Sequence, residues 1–124
     1  MKFLFVLFFV SIALIGCSST DDEFSSMSGQ DAYELIASGA DVTILDVRSE
    51  AEFLGGHIEG AVLLPVDEVE NRAEGVLGDK DAVILVICQS GNRSQAASQE
   101  LVNLGFTNIY DIGGIMSWPG EIVQ

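Results

Sequence analysis

Basic residues are scarce in this chain: five lysines and arginines and one histidine stand against nineteen aspartates and glutamates among 124 residues, a net charge of −14. A surface so acidic repels nucleic acid and anionic lipid head groups, which excludes both as direct partners. Cysteines number two, Cys17 and Cys88, too few for a disulfide framework. Also lacking is an apolar run of the roughly 20 residues that a membrane-spanning helix needs. The longest, Phe3 to Ile15 interrupted by Ser11, falls short of it. The length suffices for one compact domain and not for two, so a single active site is expected.

What is present begins with that run. Lys2 supplies a positive start, the apolar stretch follows, and Leu14-Ile15-Gly16-Cys17 closes it with a small residue before cysteine, the pattern of an export signal. Leu-Ile-Gly-Cys resembles the lipobox of bacterial lipoproteins. The resemblance implies cleavage before Cys17 and lipidation of its sulfur and new amine, with residues 1–16 as signal peptide. The competing reading is a plain secretory signal with Cys17 incidental. Two or more acyl chains give lasting attachment, so the expected location is the cell envelope, facing the periplasm or the cell exterior. Ser18 replaces the aspartate that often retains lipoproteins at an inner membrane, which points to the outer one where the host has two. Loss of residues 1–16 removes Lys2 and leaves four basic against nineteen acidic residues, 4 − 19 = −15, so lipid would supply a membrane attachment that charge opposes. With Cys17 acylated, Cys88 is the remaining thiol, and a lone thiol outside the cytoplasm marks reactivity.

Residues 17–28 are polar and acidic, with little to bury, and read as a flexible tether. The domain is assigned to residues 29–124. Ser28 can cap a helix running through Ser38, which Gly39 ends. Val42 to Val47, Ala61 to Leu64, Ala82 to Ile87 and Thr107 to Tyr110 are strand candidates. Their apolar positions run on rather than alternate, as in strands covered on both faces. Helices are predicted at Ser49 to Leu54, Asp67 to Ala73 and Ser94 to Leu104. The alternation predicts an α/β fold: an open parallel sheet of about five short strands with helices on both faces.

In such sheets ligands bind beyond the carboxyl ends of the strands. Asp46 and Arg48 lie at the end of one predicted strand, and Cys88 follows another. Cys88-Gln89-Ser90-Gly91-Asn92-Arg93 then joins strand to helix. Inward-turned amides and the helix macrodipole make that kind of loop an anion cradle. Helix N-termini with nearby cations favour thiolate over thiol. Gly91 lets the loop curl, and Arg93 offers a planar fork to anion oxygens. Alone, Cys88 would read as a small buried hydrophobe. Beside Gly91 and Arg93 it reads as a nucleophile. Arg93 itself has a competing reading as an ion-pair partner at the helix start.

The motifs in order are Ile44-Leu45-Asp46-Val47-Arg48, Glu52-Phe53, Gly56-His57-Ile58, Gly60-Ala61, the loop Cys88 to Ser94, Leu104-Gly105-Phe106, and Gly113-Gly114 with Trp118. Together they resemble the single-domain rhodanese family, thiosulfate sulfurtransferases, over Ser28 to Trp118. The resemblance implies that Cys88 carries the transferred sulfur and that Arg93 closes the loop. It also implies that the amides of Gln89, Ser90, Gly91 and Asn92 surround a persulfide. Sulfurtransferases of the family count six residues from cysteine to arginine, as here, and the related phosphatases count seven.

The implied reaction moves sulfur from a small sulfur-containing anion such as thiosulfate to cyanide, a thiol or a protein acceptor. It needs neither metal nor organic cofactor. Gln89 and Ser90 stand where many active members have a basic residue, which weakens attraction for thiosulfate on so acidic a domain. Asp46 and Arg48 are expected to organise the strand-end loops, with Arg48 paired to Glu52 if the helix forms. His57 is expected to be structural rather than a base, and Phe106 and Trp118 to line core or pocket. The alternative function is a non-catalytic rhodanese-like binding module held at a membrane.

Overall fold

The computed structural model describes residues 23–124. The signal and Cys17 readings lie outside the described residues. Five strands form one wholly parallel sheet in the order β1-β5-β4-β2-β3. They are β1 (Ser25–Ser26), β2 (Thr43–Asp46), β3 (Val62–Leu63), β4 (Val83–Cys88) and β5 (Asn108–Gly114). The helices are α1 (Gly29–Ala37), α2 (Glu50–Leu54), α3 (Val69–Leu77) and α4 (Asn92–Asn103). Among the described residues, no helix is long and apolar enough to cross a membrane.

Side chains alternate across a strand, and here the alternation divides the core in two. Leu45 and Val47 of the β2 segment join Ile84, Val86 and Cys88 of β4 on the face covered by α3 and α4, through Val69, Ala73, Ala97 and Leu101. Ile44, Leu85, Ile87 and Ile112 point the other way, against Ala32 of α1 and Ile58. The continuous apolar runs follow from this double cover: neither face of β4 meets water.

Local chemistry sets the helix boundaries. Ser28 Oγ accepts the Asp31 N–H at 3.0 Å and opens α1. Ser49 and Glu52 form a reciprocal capping box at α2. The helix predicted from Asp67 begins later, at Val69, because the chain leaving Pro65 first makes a 3-10 turn over Val66–Glu68. Strand β5 runs to Gly114 rather than stopping at Tyr110, and its register against β4 shifts between Val86 and Ile87, so that Ile112 is an extra residue. Such bulges re-aim the chain beside functional sites.

The tether is shorter than its composition suggests. Ser25 and Ser26 pair with Tyr110 and Asp111 as an edge strand, Met27 N–H donates to Asp111 O at 3.0 Å, and Phe24 packs on the α3/α4 side of the core. Polar side chains do not prevent pairing when the backbone groups of β5 are open and one aromatic anchor lies alongside. Phe24→Ala should therefore cost about 1–2 kcal/mol of stability through lost apolar burial, read as a lower urea midpoint at unchanged m-value; a freely solvated tether would show no change.

Candidate active site

The chain turns from one side of β2 to the other between β3 and β4, so the carboxyl ends of β2 and β4 lie next to each other at a switch point where parallel sheets bind ligands. Arg48 leaves β2 there, and Cys88 ends β4.

Asp46 and Arg48 form a fully buried pair. The carboxylate accepts Arg48 Nη2–H at 2.8 Å, Nε–H at 3.0 Å and the Arg48 backbone N–H at 3.0 Å. The same guanidinium reaches outward, donating from Nη2 to Gly56 O at 2.7 Å and from Nη1 to Gln89 Oε1 at 3.2 Å. One side chain thereby ties the end of β2 to the turn after α2 and to the loop after Cys88. The expected pair of Arg48 with Glu52 is not formed. Asp46 holds the Arg48 fork from two residues away, and the capping box with Ser49 turns Glu52 elsewhere.

Glu52 instead meets Arg93 in a bidentate pair, Nη1 to Oε1 at 2.5 Å and Nη2 to Oε2 at 2.8 Å, both side chains about one third exposed. The residue predicted to grip a substrate anion thus grips a carboxylate of the protein itself. The Arg93 hydrogen bonds, helped by those from Ser49, lower the Glu52 pKa from 4.5 to about 2, and the Glu52 partner raises that of Arg93.

Cys88 lies on the core side of the loop and is 1% exposed. Its sulfur is not held by apolar contact alone, for the Gly91 N–H donates to Sγ at 2.9 Å. Gly91 makes this possible with φ at +108°, a conformation that other residues rarely adopt, and it immediately precedes α4. That helix starts at Asn92, two residues earlier than predicted, so its N-terminus stands over the sulfur's loop. Ser94 Oγ lies 2.7 Å from Asp111 Oδ1 and 3.0 Å from Gly91 O, its hydroxyl proton bridging the loop to β5. Asp111 Oδ1 also accepts the Gly113 N–H at 2.9 Å. Backing the loop is Gly114, where a Cβ would stand 2.4 Å from Gln89 O and 2.8 Å from Ser90 Cα. Ser90 and Asn92 face solvent.

Outside the loop an open basin of about 580 Å³ lies between α2 and the segment after β5. Arg48, Glu52 and Gln89 give it polar walls, and Ala51, Ile115, Met116 and Ile122 apolar ones. Cys88 is buried next to Gln89, which forms part of the basin's wall. His57 is held away from this chemistry. Its Nδ1–H donates to Phe53 O at 2.9 Å, its ring stacks on Phe53 at 3.8 Å, and its backbone bridges to Val123. Phe106 is buried in the core, and Trp118 packs edge-on against Tyr33.

Glu52, the Gly56 carbonyl, Ser94 with Asp111, and the apolar wall were not among the predicted site residues. The capping-box spacing Ser49-x-x-Glu52 was a visible signal that Glu52 would be positioned rather than free; the others depend on approach between distant segments.

The model of the Rhodanese-like domain family matches residues 28–121. The chain belongs to the rhodanese-like family. It is 39% identical over 107 residues to thiosulfate sulfurtransferase GlpE of Pseudomonas entomophila (strain L48), covering 82% of this chain and 94% of that protein. The crystal structure of a rhodanese-related protein from Thermoplasma volcanium superposes with a TM-score of 0.70 at 33% identity, over 81% of this chain and 98% of that one. A structure described as rhodanese with anions from E. coli gives 0.63 at 28% identity, over 66% and 96%.

The Glu52–Arg93 pair gives this rhodanese-like domain an acid-sensitive edge. Because the folded state lowers the Glu52 pKa, the pair's stabilisation is complete above about pH 5 and is lost as pH falls through 4.5 towards 2. Melting temperatures measured from pH 7 down to pH 2 should show a smaller acid-side decline for Glu52→Gln than for the parent; parallel curves would mean that the pair contributes nothing.

Proposed function

We propose that the domain is a sulfurtransferase that carries a sulfane sulfur as a persulfide on Cys88. The observation that carries this reading is the six-residue loop from Cys88 to Arg93, with the Gly91 N–H on the sulfur and the start of α4 above it. Amides and a helix N-terminus stabilise an anionic sulfur without a metal or a general base. The similarity to a thiosulfate sulfurtransferase over most of both chains supports the same assignment.

In the first half-reaction the Cys88 thiolate attacks the outer sulfur of the donor. The donor's S–S bond breaks with its electron pair going to the leaving group, so that thiosulfate yields sulfite and the enzyme keeps Cys88–S–S⁻. In the second, a nucleophilic acceptor such as cyanide, a thiol or a protein thiolate attacks the terminal sulfur and regenerates the Cys88 thiolate. The oxygens of the donor's leaving group are assigned to the mouth of the loop, near Arg93 and the side chain of Gln89. Asp46 and Arg48 act on neither step directly; they hold Gln89 and the Gly56 turn in place.

Incubation of the full-length protein with thiosulfate followed by intact mass spectrometry should show a gain of one sulfur atom, removed by cyanide with release of thiocyanate. Cys88→Ser should lose both while keeping its melting temperature within a few degrees. An unmodified parent protein, or a serine variant of equal activity, would overturn the assignment.

We also propose that the domain works at the cell envelope, attached through acyl groups on Cys17. The support is the sequence Leu14-Ile15-Gly16-Cys17 after an apolar run and the need for a lipid to hold so acidic a protein at a membrane. In a bacterial host fed with labelled palmitate, the parent protein should take up label and pellet with membranes, and Cys17→Ser should do neither. Label retained by the variant would refute the proposal.

A further inference from the structure

A second concavity opens on the α1 side of the sheet. Tyr33 and Ile36 of α1, Ile58 and Glu59 of the turn before β3, and Trp118, Gly120 and Glu121 of the C-terminal segment line about 530 Å³ of open space. It shares no lining residue with the basin beside α2. The volume is in the range of small organic ligands.

Aromatic rings form its inner wall. Tyr33 and Trp118 meet edge to face, with centroids 5.9 Å apart and planes at 73°. In such a pair the ring that gives its edge keeps both faces uncovered by its partner, and ring faces carry the negative side of the quadrupole. Gly120 closes the corner: a Cβ there would stand 2.9 Å from Trp118 Nε1 and from Tyr33 Cδ2 and Cε2. Trp118 Nε1 is itself buried, so the one donor of that side chain, the part that would attract an anion, is withdrawn from the surface. Tyr33 remains 41% exposed.

The rim is acidic. Glu59 and Glu121 are exposed there, and neither belongs to an ion pair among the described residues. No lysine, arginine or histidine lines the pocket. Two unmatched carboxylates beside ring faces attract a cation, and the net charge of −14 adds to the pull. Hydrogen-bonding capacity decides which kind. A primary ammonium brings three N–H donors, and the ring carbons and isoleucine side chains of the wall accept none. A donor left unpaired on entry weakens binding. A quaternary ammonium has no N–H to satisfy and places its charge behind methyl groups that suit an apolar wall.

We propose that this pocket binds a quaternary ammonium ion of the trimethylammonium class, its methyl groups on the rings of Tyr33 and Trp118 and its charge balanced by Glu59 and Glu121. The site is separate from sulfur transfer and does not depend on that reading.

Trp118 is the single tryptophan of the chain, so its fluorescence reports on this pocket alone. Titration of the full-length protein with choline chloride, at ionic strength held constant with sodium chloride, should give a saturable change in emission with half-saturation at about 1 mM. Ethanolamine, the primary amine of the same skeleton, and 3,3-dimethylbutan-1-ol, the uncharged isostere, should each bind about fivefold more weakly or worse. Tyr33→Leu should weaken choline about threefold through loss of a ring face. The double variant Glu59→Gln, Glu121→Gln should weaken it by a similar factor through loss of charge, and it alters only exposed groups, so it decides the matter if Tyr33→Leu disturbs the packing. Phosphatidylcholine vesicles separate the two sources of this chemistry: an emission change like that with choline supports a lipid head group as carrier, and binding of choline alone supports a free ligand. No saturable change with choline, equal binding of ethanolamine or of the neutral isostere, or an unmoved affinity in the double variant would overturn the proposal.

Discussion

The buried pair of Asp46 and Arg48 sets the frame on which the site is built. A guanidinium taken wholly out of water is tolerable only with a carboxylate at hydrogen-bond distance and with its other donors satisfied, and here both conditions are met. Asp46 belongs to β2, Gly56 to the turn after α2, and Gln89 to the loop after β4. The sheet already places β2 beside β4, but the turn at Gly56 and the Gln89 side chain lie beyond it. The branched guanidinium of Arg48 ties both to the end of β2. Removal of one partner from such a pair typically costs about 3–5 kcal/mol, because the other charge stays buried and uncompensated. The arrangement therefore also binds loop order to fold stability.

A second pair, Glu52 with Arg93, lies nearer to solvent and has a different physical character. Partial exposure makes it weak in energy, and both fork nitrogens of Arg93 rest on a carboxylate of the protein itself. The two pairs together leave the Gly91 N–H and the start of α4, rather than an unpaired side-chain cation, beside the Cys88 sulfur. Dipoles fixed in the backbone suit an anion at such a place, since they need no counter-charge and little reorganisation. A persulfide is small and singly charged, and the Gly91 N–H is already placed on the sulfur that would carry it.

The β-branched and apolar runs at Val42 to Val47 and Ala82 to Ile87 made the central strands legible, since strands covered on both faces leave a continuous hydrophobic signature. Ser28 made one helix start legible as a cap, whereas Ser49, placed inside its predicted helix, is the cap of a helix that starts at Glu50. The loop from Cys88 to Arg93 could be identified because its residue types and spacing are local. Three things escaped. Ser25 and Ser26 carry no β signal of their own and pair only because β5 offers an open edge. Glu52 took Arg93 rather than Arg48, a choice between two arginines that depends on Asp46 having claimed one already. The apolar wall from Ile115, Met116 and Ile122 is assembled by segments that follow the last strand, where no periodic pattern exists to read.

The close approach of β5 to the sulfur loop limits how this scaffold could change. Gly114 already presses its backbone against Gln89 and Ser90 so tightly that not even a methyl group would fit. A longer loop, of the size a tetrahedral phosphate requires, has no space to expand on that flank. An inserted residue is left the solvent side, where Ser90 and Asn92 already lie, or the side of α2, where Glu52 and Arg93 meet. Lengthening this loop therefore means growth away from β5, with the last strand serving as a fixed wall.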